Sequence, residues 1–240
     1  MQNMSIPFVK SPLDGSALTP VTSSTLSEQV ADKVVEAIAL RQLESEQRLI
    51  ETELAAALQV SRVPIREAMR ILESQGIIVA SPRRGMRVAT LDGAWARQLH
   101  EVRAAIEKIA AHLAAVHLRE DPALVQRMEG CIAAIAQSRG NWLATNKADI
   151  GFHTTLFELA DSALLWTLWN AIARHILIIF SIETYRDPDF DRVVEEHRNY
   201  LNVLLTGSDA DIDAEVVRHV AGLDTFERAE RLLNQGKSEK

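Results

Sequence analysis

From Ser61 to Leu72 two patterns run at helical spacing. Ile65, Ala68, Met69 and Leu72 fall on one stripe, and Arg62, Arg66 and Arg70, four residues apart, fall on another. Ser61 stands where a side-chain oxygen caps a first turn. Pro64 takes the third helical position, whose N–H has no intrahelical partner in any case. The spacing therefore predicts a short helix starting at Ser61, packed on one side and basic on the other. Taken alone, such an arginine face is more often solvated surface than a nucleic-acid contact, so its neighbours decide.

Upstream, Val30, Val34 and Ile38 recur at helical spacing and predict a first helix from Ser27 to Leu40, capped by Ser27. A polar connection, Arg41 to Leu49, leads to a second short helix, Thr52 to Leu58, and Gln59-Val60 turns the chain into Ser61. Two short helices meeting at a tight turn make a helix-turn-helix. Downstream, Gly76 can end the basic helix in a left-handed conformation, and Ile77 to Ala80 is rich in β-branched residues. Ser81-Pro82-Arg83-Arg84-Gly85 supplies a turn and Met86 to Ala89 a returning strand, a basic-tipped hairpin. A helix-turn-helix with such a wing reads double-stranded DNA through the major groove.

The net charge of -7 is unusual for a DNA binder until it is divided by region. Residues 61–90 hold six Arg against two Glu, whereas residues 93–240 hold sixteen basic and twenty-two acidic side chains. Phosphate attraction is confined to one end. The single Cys131 excludes an intramolecular disulfide, and its apolar surroundings predict a buried, reduced thiol. No basic start followed by an apolar run occurs in the first 25 residues, and the longest apolar run, Ile176 to Phe180, is too short for a bilayer. A cytoplasmic protein without membrane attachment is expected.

Beyond Asp92 strand signals nearly vanish. Turn residues divide the chain into about six helices: Asp92–Leu118, Pro122–Ala136, Trp142–Ala160, Ser162–Tyr185, Asp189–Thr206 and Asp209–Asn234. Trp166, Trp169, Ile176 and Phe180 predict that one of them is buried over much of its circumference. The fold class expected is mainly α: an N-terminal winged helix-turn-helix with a small β-hairpin wing, then an all-α helical bundle. The divisions are a flexible tail over 1–25, a DNA-binding domain over 26–90, a ligand-binding domain over 91–234 and a tail over 235–240.

The run Glu53-Leu54-Ala55 through Val60-Ser61-Arg62-Val63-Pro64-Ile65-Arg66-Glu67-Ala68, with Leu72-Glu73-Ser74-Gln75-Gly76 and Arg84-Gly85-Met86-Arg87-Val88, resembles the GntR family of bacterial transcription regulators. The helical remainder, with Glu101-Val102-Arg103, Asp149-Ile150-Gly151-Phe152-His153, His197 and His219, resembles the effector (FCD) domain of the FadR-type subfamily. The resemblance spans about residues 26 to 232. It implies that Arg62 and Arg66 contact operator DNA and that Gly85 lets the wing approach it. The DNA-facing set expected is Thr52, Ser61, Arg62, Val63, Pro64, Arg66, Arg70, Arg84 and Gly85. Where the family often has glycine before the second helix, proline-glycine next and glycine in the turn, this chain has Arg41, Ser45-Glu46 and Gln59. A positive φ at Gln59 would cost about 1 kcal/mol.

Asp149 and His153 are four residues apart on one predicted helix and can face one ion. His197 and His219 lie on the two following helices, which a bundle can bring together. By spacing alone, three of seven His are as readily surface or hydrogen-bonded core residues. The resemblance makes Asp149, His153, His197 and His219 ligands of a divalent transition metal: Zn, Ni, Mn or Fe. It also implies a small carboxylate effector, with Arg103 as its bidentate partner. A surface salt bridge from Arg103 to Glu107 is the plainer reading of that pair. His100, His112, His117 and His175 match nothing and are read as structural.

These expectations describe a homodimeric, ligand-responsive repressor on a palindromic operator. The competing reading is a metal-dependent hydrolase using the Asp/His3 site, with Glu196 as the nearest base; Glu196 points about 100° away from His197 on the same helix. A sequence-indifferent nucleoid binder is the third.

Overall fold

The computed structural model describes residues 25–81, 85–184 and 190–221. The tails expected over 1–25 and 235–240, apart from Thr25, lie outside the described residues, as do Arg83, Arg84 and the last helix beyond Ala221. Among the described residues the order is α1 (Leu26–Ala39), β1 (Arg48–Leu49), α2 (Glu51–Leu58), α3 (Arg62–Ser74), β2 (Ile78–Ser81) and β3 (Gly85–Val88). There follow α4 (Gly93–Glu120), α5 (Pro122–Gln137), α6 (Trp142–Leu159), α7 (Ala163–Thr184), α8 (Phe190–Thr206) and α9 (Asp209–Ala221). The chain is mainly α, with one small sheet.

The first helix begins at Leu26, and its cap lies two residues before Ser27. Thr25 is its cap, and its hydroxyl accepts from the Glu28 N–H at 3.2 Å. Ser61 does occupy the cap position of α3, but its side chain accepts no capping hydrogen bond. Of the two N–H groups a cap oxygen ordinarily bonds, those of the second and third helical residues, Pro64 removes one and leaves only Val63.

The stretch read as a polar connection from Arg41 to Leu49 contains a strand. Arg48 pairs with Arg87 and Leu49 with Met86, so the sheet has the antiparallel order β1-β3-β2. In the hairpin, Ile78 pairs with Val88 and Ser81 with Gly85. Two residues gave little periodicity to read, and their pairing partner is forty residues away. Arg41, Glu46 and Gln59 all have positive φ, at 56°, 65° and 54°. These are the places where the resembling family carries glycine, so this chain adopts the same turns with side chains that resist them.

Ile65, Ala68, Met69 and Leu72 of α3 are buried with Val30, Val34, Val35 and Ile38 of α1 and with Ile77, Ile78 and Val88 of the sheet. This core does not close on itself. Leu177, Ile178 and Ile182 of α7 complete it, while Leu165, Trp169, Ile176 and Ile179 of the same helix enter a second core with Ala96, Leu99, Ile106 and Ala110 of α4. A third core joins α4, α5, α6, α8 and α9 around Met128, Phe152, Tyr200 and Val216. The helix α7 is long and apolar enough to cross a membrane, with a mean hydropathy of 1.5 over Ala163–Ile182. Its buried apolar residues are divided between two cores, while Leu164, Trp166 and Leu168 are exposed.

Trp166 departs from the expected burial: it is 37% exposed, whereas Trp169 is buried. Cys131 is half-buried rather than buried, its Sγ 3.3 Å from Thr155 Oγ1. Leu72, fully buried between α1 and the sheet, is a direct test of the first core. Leu72→Ala should lower stability by about 2–5 kcal/mol in urea melts of the full chain, and a loss below 1 kcal/mol would contradict the packing.

Candidate DNA-binding face and metal centre

On α3 the arginines and the core residues separate as their spacing requires. Arg62, Arg66, Arg70 and Val63 are exposed, whereas Pro64 is turned inward and buried. Arg62 Nη2 and Arg66 Nε both donate to Glu51 Oε2 at the start of α2, at 3.2 and 2.9 Å. Hydrogen bonds from Arg66 first, then Arg62, hold the Glu51 carboxyl below its ordinary pKa. The second helix thus aligns two arginines on the first turns of the third. Arg70 Nη1 instead donates to Glu67 on its own helix, at 2.8 Å. Thr52 is exposed beside Glu51, and Ser61 is exposed at the head of α3. Gly85, at φ +78°, is exposed at the tip end of the wing, where it pairs with Ser81. Arg87 on β3 is tied to Glu46 at 3.1 Å. Arg84 lies outside the described residues.

Inside the bundle, α6 contributes Asp149 and His153, α8 His197 and α9 His219. His153 Nε2 lies 3.2 Å from His219 Nε2 and 3.6 Å from Asp149 Oδ1, and His197 Nε2 lies 3.5 Å from Asp149 Oδ2. One donor atom from each of the three imidazoles fits within a 4.8 Å span. Four ligands about 2.1 Å from a tetrahedral ion stand about 3.4 Å apart, which is the separation found here. Asp149 Oδ1 and His197 Nε2 are buried with no hydrogen-bond partner. Buried polar atoms rarely go unsatisfied, and these belong to a hard and a borderline donor that share preferences for divalent transition ions. The donor set fits a metal.

Two of the rings meet a group behind them. His197 Nδ1 lies 2.7 Å from the Val193 carbonyl oxygen, to which its N–H donates, leaving Nε2 for the site. His153 Nδ1 lies 2.7 Å from Glu107 Oε1, with poor hydrogen-bond alignment. Phe152 stands edge-on to His197, ring centres 4.7 Å apart. Burial, the charges of His197, His153 and Arg103, and then Arg218, push the His219 pKa well down. Burial also lowers His153 despite Glu107. Burial works against charge on Asp149 as well, yet His197 and then His153 and Arg103 outweigh it and keep the carboxylate ionised. Burial opposes charge on His197 too, but Asp149 and the Val193 carbonyl outweigh it and raise its pKa. His153 and His219 therefore favour the neutral form that binds metal, while His197 must give up a proton to do so.

Arg103 is where the spacing misled most. Val102 and Ile109 are 50% and 54% exposed, while Arg103 itself faces inward at 1%. Its partner is Glu107 as expected, with Nε 3.0 Å from Oε2, but the pair is buried and not on the surface. Burial alone would raise the Glu107 pKa; His153 and Arg103 outweigh it and hold it at about 2. Tyr200 donates its hydroxyl to Glu107 Oε1 at 3.1 Å. Glu107 thus ties α4, α6 and α8 together, a role that its i,i+4 spacing from Arg103 hinted at without revealing its burial. The guanidinium lies over Phe180, 5.0 Å from the ring centre, and among the described residues both Nη atoms are buried with no hydrogen-bond partner. Two unsatisfied donors in a planar fork suit an incoming carboxylate. Glu107→Ala would leave Arg103 buried and uncompensated. It should cost about 3–5 kcal/mol of stability in urea melts, and a change below 1 kcal/mol would contradict the network.

The other histidines are engaged elsewhere. His100 Nδ1 and His117 Nδ1 lie 2.9 and 2.7 Å from the Val220 and Leu159 carbonyl oxygens, and His112 pairs with Asp213. His175 meets the Gln75 carbonyl at 2.7 Å. Glu196 faces Arg218 at 3.9 Å.

A winged helix-turn-helix with paired arginines on its third helix, joined to a helical bundle with a buried His/Asp/Arg site, defines a DNA-binding transcription regulator. Residues 26–88 match the family model of the bacterial regulatory proteins of the gntR family, and residues 98–222 match the FCD domain. The chain belongs to the GntR regulators of the FCD type, a family of soluble DNA-binding proteins and not of enzymes. It is similar to a probable D-xylose utilization operon transcriptional repressor of Paenarthrobacter nicotinovorans, 28% identical over 84% of this chain and 88% of the relative. It is also similar to the HTH-type transcriptional repressor RspR of Escherichia coli, 28% identical over 80% and 82%. Among solved structures, E. coli McbR/YncC shares the fold at a TM-score of 0.68 and 16% identity, over 90% of this chain and all of that one.

Proposed function

We propose that the protein is a cytoplasmic, homodimeric repressor released from a palindromic operator by a small carboxylic acid bound at the buried site. The observation carrying this reading is the cluster of three imidazoles, with Asp149 beside His153 and His197, near a guanidinium whose two Nη atoms are buried with no hydrogen-bond partner among the described residues. Asp149, His153, His197 and His219 would hold the ion, which when bound supplies a Lewis-acidic anchor for a carboxylate oxygen. Arg103 orients the acid through its fork, and Glu107 keeps that fork in place. Phe152, Phe180, Trp169 and Tyr200 surround the site with rings that exclude water. Zinc, nickel, manganese and iron all suit such ligands.

On the DNA side, Arg62 and Arg66 read base edges, and Thr52, Ser61, Val63, Arg70, Arg84 and Gly85 border the duplex. Pro64 serves by starting the helix. The working units are 26–90 for DNA and 91–234 for the ligand. Repression is supported by the names of the two relatives described above. Dimerisation is supported by α4, whose outer face exposes Val102, Ile109 and Val116 seven residues apart, with Leu113 between the last two. A heptad stripe left in water on a 28-residue helix suits pairing with a second copy of itself.

Metal analysis of the purified protein, followed by a thermal-shift screen of small carboxylic acids, tests the site. Bound metal and a melting temperature raised by one class of acid are expected, because a ligand of the folded state stabilises it. Stabilisation that persists unchanged in His153→Ala/His197→Ala would place the acid elsewhere.

A further inference from the structure

The helix α7 touches both halves of the molecule with opposite faces. At about 100° per residue, Trp169, Ile176 and Phe180 fall within one narrow sector, whereas Arg174 and Ile178 lie on the far side. The first sector walls the buried site. Trp169 Nε1 donates to Thr154 Oγ1, next to His153, at 2.9 Å, and Phe180 lies under the Arg103 guanidinium. The far side grips one residue, Gln75, which caps the C-terminus of α3. Gln75 Nε2 donates to the Asn170 carbonyl at 3.2 Å, and its Oε1 accepts from Arg174 Nη1 at 3.1 Å. Its backbone carbonyl faces His175 Nε2 at 2.7 Å.

Arg174 is itself fixed. Its Nε donates to Asp32 at 2.9 Å, its Nη2 pairs with Glu28, and both acids stand on α1. Lys147 of α6 adds a bond to Glu36, one turn further along α1. These side chains line a cleft of about 650 Å³ between the DNA-binding unit and the bundle. The grip is therefore polar and flanked by open space, beside an apolar contact made by Leu177, Ile178 and Ile182. Polar, partly hydrated contacts yield before a close-packed core does.

We propose that Arg174, with Asn170 and His175, is the positioning clamp of the recognition helix, and that α7 relays the state of the Arg103 site to DNA by loosening or tightening this clamp on Gln75. The relay rests on the effector reading above; the clamp itself does not. A carboxylate drawn to Arg103 competes with Phe180 for the guanidinium, and any shift of Phe180 along the α7 axis moves Arg174, fewer than two turns away.

Amide hydrogen exchange on the full-length protein tests both parts. The N–H groups of Gln75, Gly76 and Ile77 donate to Ile71, Glu73 and Leu72 carbonyls and report directly on the end of α3. Arg174→Ala should speed their exchange at least fivefold and weaken operator binding, while the α5 amides remain unchanged. Unchanged exchange at residues 75–77 would overturn the clamp. Phe180→Leu, which keeps apolar bulk but removes the ring under Arg103, should speed the same amides at least twofold without any metal or acid. If it changes only amides around Arg103, the relay is wrong. Zinc added alone to the wild type is the third arm: loss of zinc binding would count against the metal reading and leave the two variants' outcomes to decide clamp and relay.

Discussion

Arg62→Ala and Arg66→Ala should each weaken operator binding by about 1–3 kcal/mol, about fivefold or more, and relax sequence preference at the bases they face. Anisotropy at fixed salt measures this against an unrelated duplex of equal length. The structure adds a distinction between them and Arg70. Both arginines are held by one carboxylate, Glu51, which presents them together from the first turns of α3, whereas Arg70 pairs with Glu67 on its own helix. Arg70→Ala should therefore weaken specific and non-specific binding by similar, smaller factors, as a phosphate contact does. Unchanged affinity in both Arg62→Ala and Arg66→Ala would remove α3 from the groove.

The second large effect concerns Arg103. Substituting Ala confounds binding with the exposure of Glu107 to an empty, buried partner position, so Arg103→Lys is the informative change. It keeps a positive charge for Glu107 but gives up the planar fork whose two Nη atoms are free. Charge-assisted hydrogen bonds contribute about 1.5–3 kcal/mol each, so the acid identified by thermal shift should bind at least tenfold more weakly. Metal content should stay at the wild-type level, because the lysine replaces none of the four candidate ligands. Loss of metal together with acid would make Arg103 a support of the ion and not of the effector.

How far the sequence carried these conclusions differs by element. The α3 stripe and the wing were legible because their signals are local: spacing of three and four, a glycine stop, alternating β-branched residues. The strand β1 was not, since Arg48 and Leu49 become a strand only by pairing with Arg87 and Met86. The Ser61 cap failed for a local reason: one of the N–H groups it would bond is missing at Pro64. In the bundle, periodicity identified helices but not which face turns inward. Arg103 and Glu107 read as a surface pair because charge ordinarily stays outside, and only their packing against Tyr200, His153 and Phe180 reverses that. The His/Asp set was visible one residue at a time. Its convergence required three helices far apart in sequence.

One measurement bears most directly on the whole account: the fraction of operator bound by the metal-loaded protein as the stabilising carboxylic acid is added. The account predicts that the acid releases wild-type protein from DNA, and that at the same concentration Arg103→Lys and His153→Ala/His197→Ala stay bound. Release that is equally complete in both variants, or wild-type protein that stays on the operator while the acid saturates it, would contradict the link between the buried site and the DNA-binding face.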